Sequence, residues 1–564
     1  MGNKYLWLFV LATIVYIIGF DITIMDVDSA QYSSISREMA ETNEYLQVKH
    51  RGEDYLDKPP LLFWITSFFF EIFGFHNWSF KIGSFLFTLL GVFSTYRLGK
   101  LLYNKVIGVK AALILYSCQA FFLFNNDVRT DTILTGAVIF AIWQWMEWLK
   151  SPKWKWLFGL SFGVALAMLS KGPIGLMVPV IAVGSYILGK KAWNKIFRWE
   201  YIVMLALVAV FISPMVYGLY QQFDMHPEKV TQMVSPNGLV PVTGVSGLEF
   251  YFWTQSFGRI SGENVWKDGS GPFFFVHNFL WSFLPWSLIF IPAFFKRFRD
   301  IIFSWFGKVE SPKWLAAFGF LIPFLVLSTS SYKLPHYIFP LYPLAAILIA
   351  SWWEEIKVSK FKKAWIKLTL TVQWIMILAI GGIISLIYFW FFKDAPIYIL
   401  VITYGLLALS FYTSLVTSKK PDSLIVSVVL LACSINFMMN SWFYPQLTTF
   451  QAGNQVVDSL NENKIDGENT YLYSYYSFSY HFYQKAKLKL VTEKKLLSRV
   501  DDERNTYLVF PENNLKHLNS KFYLEAIDSI KFHPVTRLSL PFLMADTREE
   551  ELQTLYISKI VDYK

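Results

Sequence analysis

Two carboxylates, Asp26 and Asp28, stand two residues apart just after a long apolar run, in the stretch DITIMDVDSAQYSSISREM. A carboxylate so placed can take a proton from an acceptor hydroxyl or hold a cation. Farther along the same connection comes Tyr55-Leu-Asp57-Lys58-Pro59-Pro60. The prolines stiffen the backbone and end any preceding helix, which fixes Lys58 beside the next apolar run. Short polar connections elsewhere repeat the theme: Asp127-Val-Arg129-Thr-Asp131, Lys171-Gly-Pro, and Tyr332-Lys333-Leu-Pro-His336-Tyr337. The longer connection 221–273 adds Arg259. Several cations converging on one pocket would bind a phosphate or pyrophosphate. A carboxylate beside them would serve as base, and an apolar groove alongside could hold a lipid tail. Taken singly, each stretch also admits a plainer reading: solvated loop acids, a salt-bridged helix connection, a snorkelling lysine or an interfacial aromatic belt.

The elements that must position these residues are membrane helices. Of 564 residues 54% are hydrophobic, 19% aromatic and 16% charged, against about 25% charged in an ordinary soluble domain. Mean hydropathy is +0.38. This composition excludes a soluble enzyme, a disordered chain and a coiled coil. Cys118 and Cys433 lie inside apolar runs, which argues against a disulfide scaffold or a cysteine metal site. About thirteen runs are long enough to span, near 5–22, 79–99, 106–124, 132–149, 156–170, 174–189, 201–220, 274–295, 314–330, 338–353, 368–392, 396–416 and 423–443. Residues 61–75 are apolar but short and contain Glu71, and read as an interfacial or re-entrant helix. The first run lacks a small-residue cleavage site and reads as a retained anchor.

Alternating the spans with the N-terminus inside puts 24 basic and 7 acidic residues on the inner side. The outer side before residue 445 then holds 12 basic and 18 acidic residues. That is the positive-inside pattern, so the net charge of +10 reflects topology and not nucleic acid. The polar connections above all fall outside. Within loop 21–78, residues Ala30–Met39 have helical spacing with Tyr32, Ile35 and Met39 on one face, and Arg37 and Glu38 add charge near the end. After Tyr444 the composition changes. Residues 445–564 carry 15 basic and 16 acidic side chains, with β-rich runs at Thr470–Tyr476, Lys487–Thr492 and Thr506–Phe510. Helix-like stretches alternate with them around Glu493–Val500 and Glu512–Asn519, so this part reads as a small extracytoplasmic α/β domain.

The motifs occur in an order that resembles the GT-C type membrane glycosyltransferases, closest to the bacterial aminoarabinose–lipid A transferases and relatives of protein O-mannosyltransferases. The stretch from Asp28 through Tyr32 to Ser36-Arg37-Glu38-Met39 resembles the family's first-loop motif, and Tyr55-Leu-Asp57-Lys58-Pro59 its Tyr-Phe-Glu-Lys-Pro motif. Arg129-Thr130-Asp131, Lys171-Gly172-Pro173 and Lys333-Leu334-Pro335 match further stretches. Ser29 stands where the family often has Glu, and Asp57 where it has Glu. The family's His-Arg pair in the long outer loop is replaced by Asp268-Gly-Ser-Gly-Pro272.

The resemblance implies a polytopic α-helical GT-C protein. Residues 1–444 would form the transmembrane glycosyltransferase domain with outer loops 21–78 and 221–273, and 445–564 the extracytoplasmic domain. It implies an inverting transfer from a polyprenyl-phosphate-linked sugar to lipid A, a glycan or a protein acceptor, on the outer face of the bacterial cytoplasmic (inner) membrane. Asp28 is implied as the catalytic carboxylate and Lys58 as a ligand of the donor phosphate, with Arg129, Lys171, Arg259 and Lys333 assisting. Asp26, Tyr32, Glu38, Tyr55, Asp57, Asp131, Tyr332, His336 and Tyr337 would shape the cavity or meet the acceptor. No cofactor requirement can be read, and a divalent metal has no residue pattern in its favour. The competing class is a flippase or transporter of anionic lipid-linked sugars, although transporters more often show repeats and broken helices at the midplane.

Overall fold

The computed structural model describes residues 4–235, 238–255, 258, 269–304, 311–484, 489–491 and 506–563. It is mostly helical, as apolar runs must be if their backbone groups are to be satisfied without water. Among the described residues six helices are long and apolar enough to cross a membrane, and two bent pairs bring the number to eight. Each of the thirteen apolar runs coincides with a helix or a bent pair of helices. The run expected over 274–295 is broken. Phe274–Ser282 and Ser287–Phe303 meet at 120° around Pro285, which lacks an N–H and disfavours helix in the residue before it. The freed Leu284 carbonyl accepts the Gln119 N–H at 2.9 Å.

The two arms of this bend reach opposite ends of the bundle. Asn278, on the first arm, donates to the Pro335 carbonyl, beside Lys333 and His336. Lys296 and Arg297, on the second, pair with Glu355 at the far end of helix Tyr342–Ile356. At that far end Lys110 pairs with Glu354 and Asp422, and Lys357 lies 2.8 Å and 3.0 Å from the same two carboxylates. Burial pushes the Asp422 carboxyl up, but hydrogen bonds and charge from Lys110 and Lys357 outweigh it and hold the group at about 2.

At the near end the first connection folds into helix Asp28–Thr42, a tight hairpin pairing Lys49–His50 with Glu53–Asp54, and helix Leu61–Phe73, which begins directly after Pro60. Tyr32, Ile35 and Met39 are buried on one face of the first helix, as their spacing predicts. Buried Ser29, Ser33 and Ser36 let that face approach its neighbours closely, and the Ser36 carbonyl accepts the Ser67 hydroxyl at 2.7 Å. Helix Leu61–Phe73 keeps Phe68, Ile72 and Phe73 exposed, as expected for a short interfacial helix.

The C-terminal part is an α/β domain with a five-stranded sheet. Its strand order is Leu490–Val491, Thr470–Tyr473, Thr506–Pro511, Gln553–Tyr563 and Phe522–Phe532. The first three strands pair in parallel and the last two antiparallel. Helix Leu515–Asn519 falls where the sequence predicts one; the stretch Glu493–Val500 lies outside the described residues.

Candidate active site

Asp28 opens its helix, where the unpaired N–H groups of the first turn favour a negative charge. The Ser29 hydroxyl donates to the Val128 carbonyl at 3.1 Å and ties this helix start to the turn Asp127–Arg129. Arg129 ion-pairs with Asp28 and donates to Asp127 Oδ2 from Nε at 3.1 Å and from a terminal nitrogen at 2.7 Å. Burial pushes its guanidinium down to about 10, against the charge of Asp131, so it remains a cation at neutral pH. The nucleophile-activating candidate and the first cation are therefore in contact.

A second cluster follows on the next two connections. Asp131 is 1% exposed and pairs with Lys171, while His336 Nε2 lies 3.5 Å from its other oxygen. Lys171 Nζ also sits 3.9 Å from the centre of the Tyr337 ring. Tyr32, one turn along the helix from Asp28, joins this cluster to the Lys58 segment. Burial raises its phenol strongly, and the neighbours adding to that shift are Tyr55, Asp57, Asp131 and Tyr337. Tyr32 and Tyr55 both pack on Phe63, each with ring centres 5.9 Å apart.

Lys58 pairs with its neighbour Asp57 and lines a narrow hollow with Tyr55, Leu46, Val48, Pro59, Pro60, Met215 and Leu219. The hollow is held open by backbone contacts. Gln222, in a π-helical turn at the end of helix Glu200–Leu219, brackets Val48 through its N–H at 3.2 Å and its carbonyl at 2.8 Å. A Cβ at Gly218 would lie 2.0 Å from the Leu46 carbonyl oxygen, so only glycine allows this approach. Tyr251, in a second π-helical turn, donates to the Met168 carbonyl at 3.0 Å, and Gln255 donates to the Asp57 carbonyl. The Tyr55 hydroxyl is buried and has no hydrogen-bond partner among the described residues. This is a greasy cleft with a cation and an unmatched hydroxyl in its wall.

Other candidate residues are placed elsewhere. Lys333 is buried and donates to the Ser270 carbonyl at 3.0 Å; Tyr332 is half-buried beside it. Asp26 faces the C-terminal domain, where it accepts from Ser479 and Ser477. Glu38 accepts the backbone N–H groups of Arg51 and Gly52, stabilising the left-handed turn of the hairpin. Arg259 lies outside the described residues. Among the described residues no three His, Cys, Asp or Glu side chains group as a metal site. The sequence reading overlooked Gln222, Tyr251, Gln255 and Lys81. Only Lys81 carried a signal, a charge three residues into an apolar run; it is fully buried and donates to the Gly19 and Ile22 carbonyls.

A crystal structure of ArnT from Cupriavidus metallidurans bound to undecaprenyl phosphate matches with a TM-score of 0.69 at 16% identity, covering 98% of both chains. The chain shares the fold of that structure. The family described as dolichyl-phosphate-mannose-protein mannosyltransferase matches residues 57–217, from Asp57 beside Lys58 to the helix before Gln222. An uncharacterised protein of Aquifex aeolicus is 26% identical over 64% of this chain and 66% of its own length. The undecaprenyl phosphate-alpha-4-amino-4-deoxy-L-arabinose arabinosyl transferase of Edwardsiella ictaluri is 24% identical over 58% of this chain and 55% of its own. The chain thus spans between half and two thirds of the length of these relatives, and the resemblance drawn from its motifs stands.

Proposed function

We propose that the protein is an inverting glycosyltransferase that moves a sugar from a polyprenyl-phosphate donor to an acceptor, lipid A first among them, with another glycan or a protein hydroxyl as the others. The observation that carries this reading is the hollow: an apolar cleft that ends on Lys58 and the unmatched Tyr55 hydroxyl, joined through Tyr32 to the cluster around Asp131. The apolar walls suit the first isoprene units of a polyprenyl chain, and the cation its phosphate. As the bond between the sugar C1 and the phosphate oxygen breaks, negative charge builds on that oxygen, and a preplaced Lys58 stabilises it. The acceptor oxygen attacks C1 from the opposite face and its proton passes to Asp28, which Arg129 orients. An acceptor that is already a phosphate anion needs Asp28 only for orientation. Lys171 and His336, held on Asp131, shape the acceptor side, and Lys333 assists the donor phosphate, a role also assigned to Arg259, which lies outside the described residues.

In this reading thirteen spans cross the bacterial inner membrane with the N-terminus inside. Residues 1–444 form the catalytic membrane domain with outer loops 21–78 and 221–273, and 445–564 lie outside. The thirteen helical units and the segregation of basic residues support it. The relatives' names favour transfer over transport. The test is release: purified protein, given a panel of undecaprenyl-phosphate sugars that includes aminoarabinose, frees undecaprenyl phosphate in the presence of lipid A. A flippase would move the donor across a vesicle without releasing it, and that outcome would overturn the proposal.

A further inference from the structure

We infer that the C-terminal domain is a clamp that sets the position of Asp28, with Gln451 as its main positioning residue; this rests on the catalytic role proposed for Asp28 above. A 3-10 turn, Gly19–Asp21, leads into the irregular stretch Ile22 to Val27, whose backbone N–H and C=O groups must find partners outside regular structure. The membrane domain supplies those at its start, through Lys81 and through Asn77, which donates to the Asp21 carbonyl at 3.2 Å. From Ile24 onward the C-terminal region supplies them.

Gln451 brackets the chain as a strand neighbour would. Its Nε2 donates to the Ile24 carbonyl at 3.0 Å and its Oε1 accepts the Asp26 N–H at 2.8 Å. The Tyr483 hydroxyl accepts the Ile24 N–H at 2.8 Å and donates to Asn77 at 2.6 Å, so it joins both sets of contacts. The Asp26 carboxylate accepts the Ser479 N–H at 2.8 Å, the Ser479 hydroxyl at 2.7 Å and the Ser477 hydroxyl at 3.3 Å. Gly453 locks the seat from behind: a Cβ there would fall 2.1 Å from the Ser479 oxygen and 2.3 Å from the Ser477 oxygen. Gln451, Ser477 and Ser479 are all buried.

Asp28 follows two residues later, and its carboxylate meets Arg129 from the membrane domain. Its position is thus referenced to the outer domain on one side and to the bundle on the other. None of these clamp residues lines the hollow around Lys58. A clamp of this kind acts on turnover and not on donor binding, because a displacement of about 1 Å at a reacting group costs on the order of 10²-fold in rate.

The experiment compares Gln451→Ala and Tyr483→Phe with the wild type and with Asp28→Asn. It uses full-length protein and whichever undecaprenyl-phosphate sugar of the panel turns over. Three quantities are read: kcat, the Kd for undecaprenyl phosphate, and the thermal midpoint. The expected result is a kcat lowered about tenfold or more by Gln451→Ala and about two- to fivefold by Tyr483→Phe, with Kd within about twofold of wild type. Wild-type kcat in both variants, or a Kd that worsens in step with kcat, overturns the clamp. If Gln451→Ala does not fold, Tyr483→Phe, which removes one oxygen, decides by the same criteria. An inactive Asp28→Asn beside fully active clamp variants sinks the clamp alone. A fully active Asp28→Asn removes the catalytic reading and the clamp with it.

Discussion

The two ends of the helical bundle use the same residue types to opposite ends. At the far end several cations pair with carboxylates distant in sequence, Lys110 with Glu354 and Asp422 and Arg297 with Glu355, and these pairs staple separate helices beside the local pairs Lys357 with Glu354 and Lys296 with Asp300. The near end also has long-range pairs, Arg129 with Asp28 and Lys171 with Asp131, but Lys58 at the hollow pairs with its own neighbour Asp57. A pair between sequence neighbours closes no fold. In the proposed function it keeps Lys58 beside a carboxylate until the donor phosphate takes that carboxylate's place.

Substitutions can break this contrast. Asp28→Asn has the largest expected effect, a fall in kcat of roughly 10²- to 10⁴-fold with the protein still made and folded, read by release of undecaprenyl phosphate. Normal turnover by that variant removes Asp28 from the chemistry. Lys58→Ala is expected to weaken undecaprenyl phosphate binding by about ten- to a hundredfold, since a hydrogen bond to a charged group contributes about 1.5–3 kcal/mol. Equilibrium binding to the labelled lipid checks it, and an unchanged Kd would place the phosphate elsewhere. Lys110→Met, at the opposite end, is expected to cost about 1–3 kcal/mol of stability and leave Kd and kcat as they were. The estimate sits below that for a fully buried pair because Glu354 and Asp422 are 23% and 28% exposed and keep Lys357. A loss of activity without loss of stability would erase the distinction between the two ends.

The smallest expected effect sharpens the picture of the near end. His50 packs against His481 and Phe478 where the hairpin meets the C-terminal domain. Burial, with Arg51 adding to it, pushes His50 down to about 2 and His481 to about 3. Both folded values lie below the unfolded value of about 6.5. Above that pH neither state binds the proton and nothing changes. As pH falls through it the unfolded chain takes up protons that the folded one refuses, and stability drops by up to about 1.4 kcal/mol per pH unit for each histidine. Thermal midpoints measured between pH 7.5 and 5.5 should fall, and the fall should flatten in His50→Phe with His481→Phe. A pH-independent midpoint would show that these rings are not buried in solution.

Much of this was legible in the sequence because it is periodic or local. Apolar runs announce helices, the Tyr32–Ile35–Met39 spacing announces a buried face, and Asp127 with Arg129 pairs across two residues. What stayed hidden depends on partners far along the chain. Nothing near Asp26 points to Ser477 and Ser479, and nothing near Gln451 points to Ile24. The strands Phe522–Phe532 and Gln553–Tyr563 were missed for another reason: register shifts near Tyr523 and Ala526 break the alternation that marks a half-buried strand. The break at Pro285 was visible as a proline, but its 120° angle depends on packing that the apolar run does not encode.

In the proposed function the donor phosphate sits on Lys58 at the mouth of the hollow, within reach of chemistry at Asp28. The most direct measurement is an experimental structure of the full chain with undecaprenyl phosphate bound. The expected result is phosphate density within hydrogen-bonding distance of Lys58 Nζ, the first isoprene units between Leu46, Met215 and Leu219, and Asp28 facing the same space. Phosphate density away from Lys58, with the hollow filled by protein side chains, would contradict it.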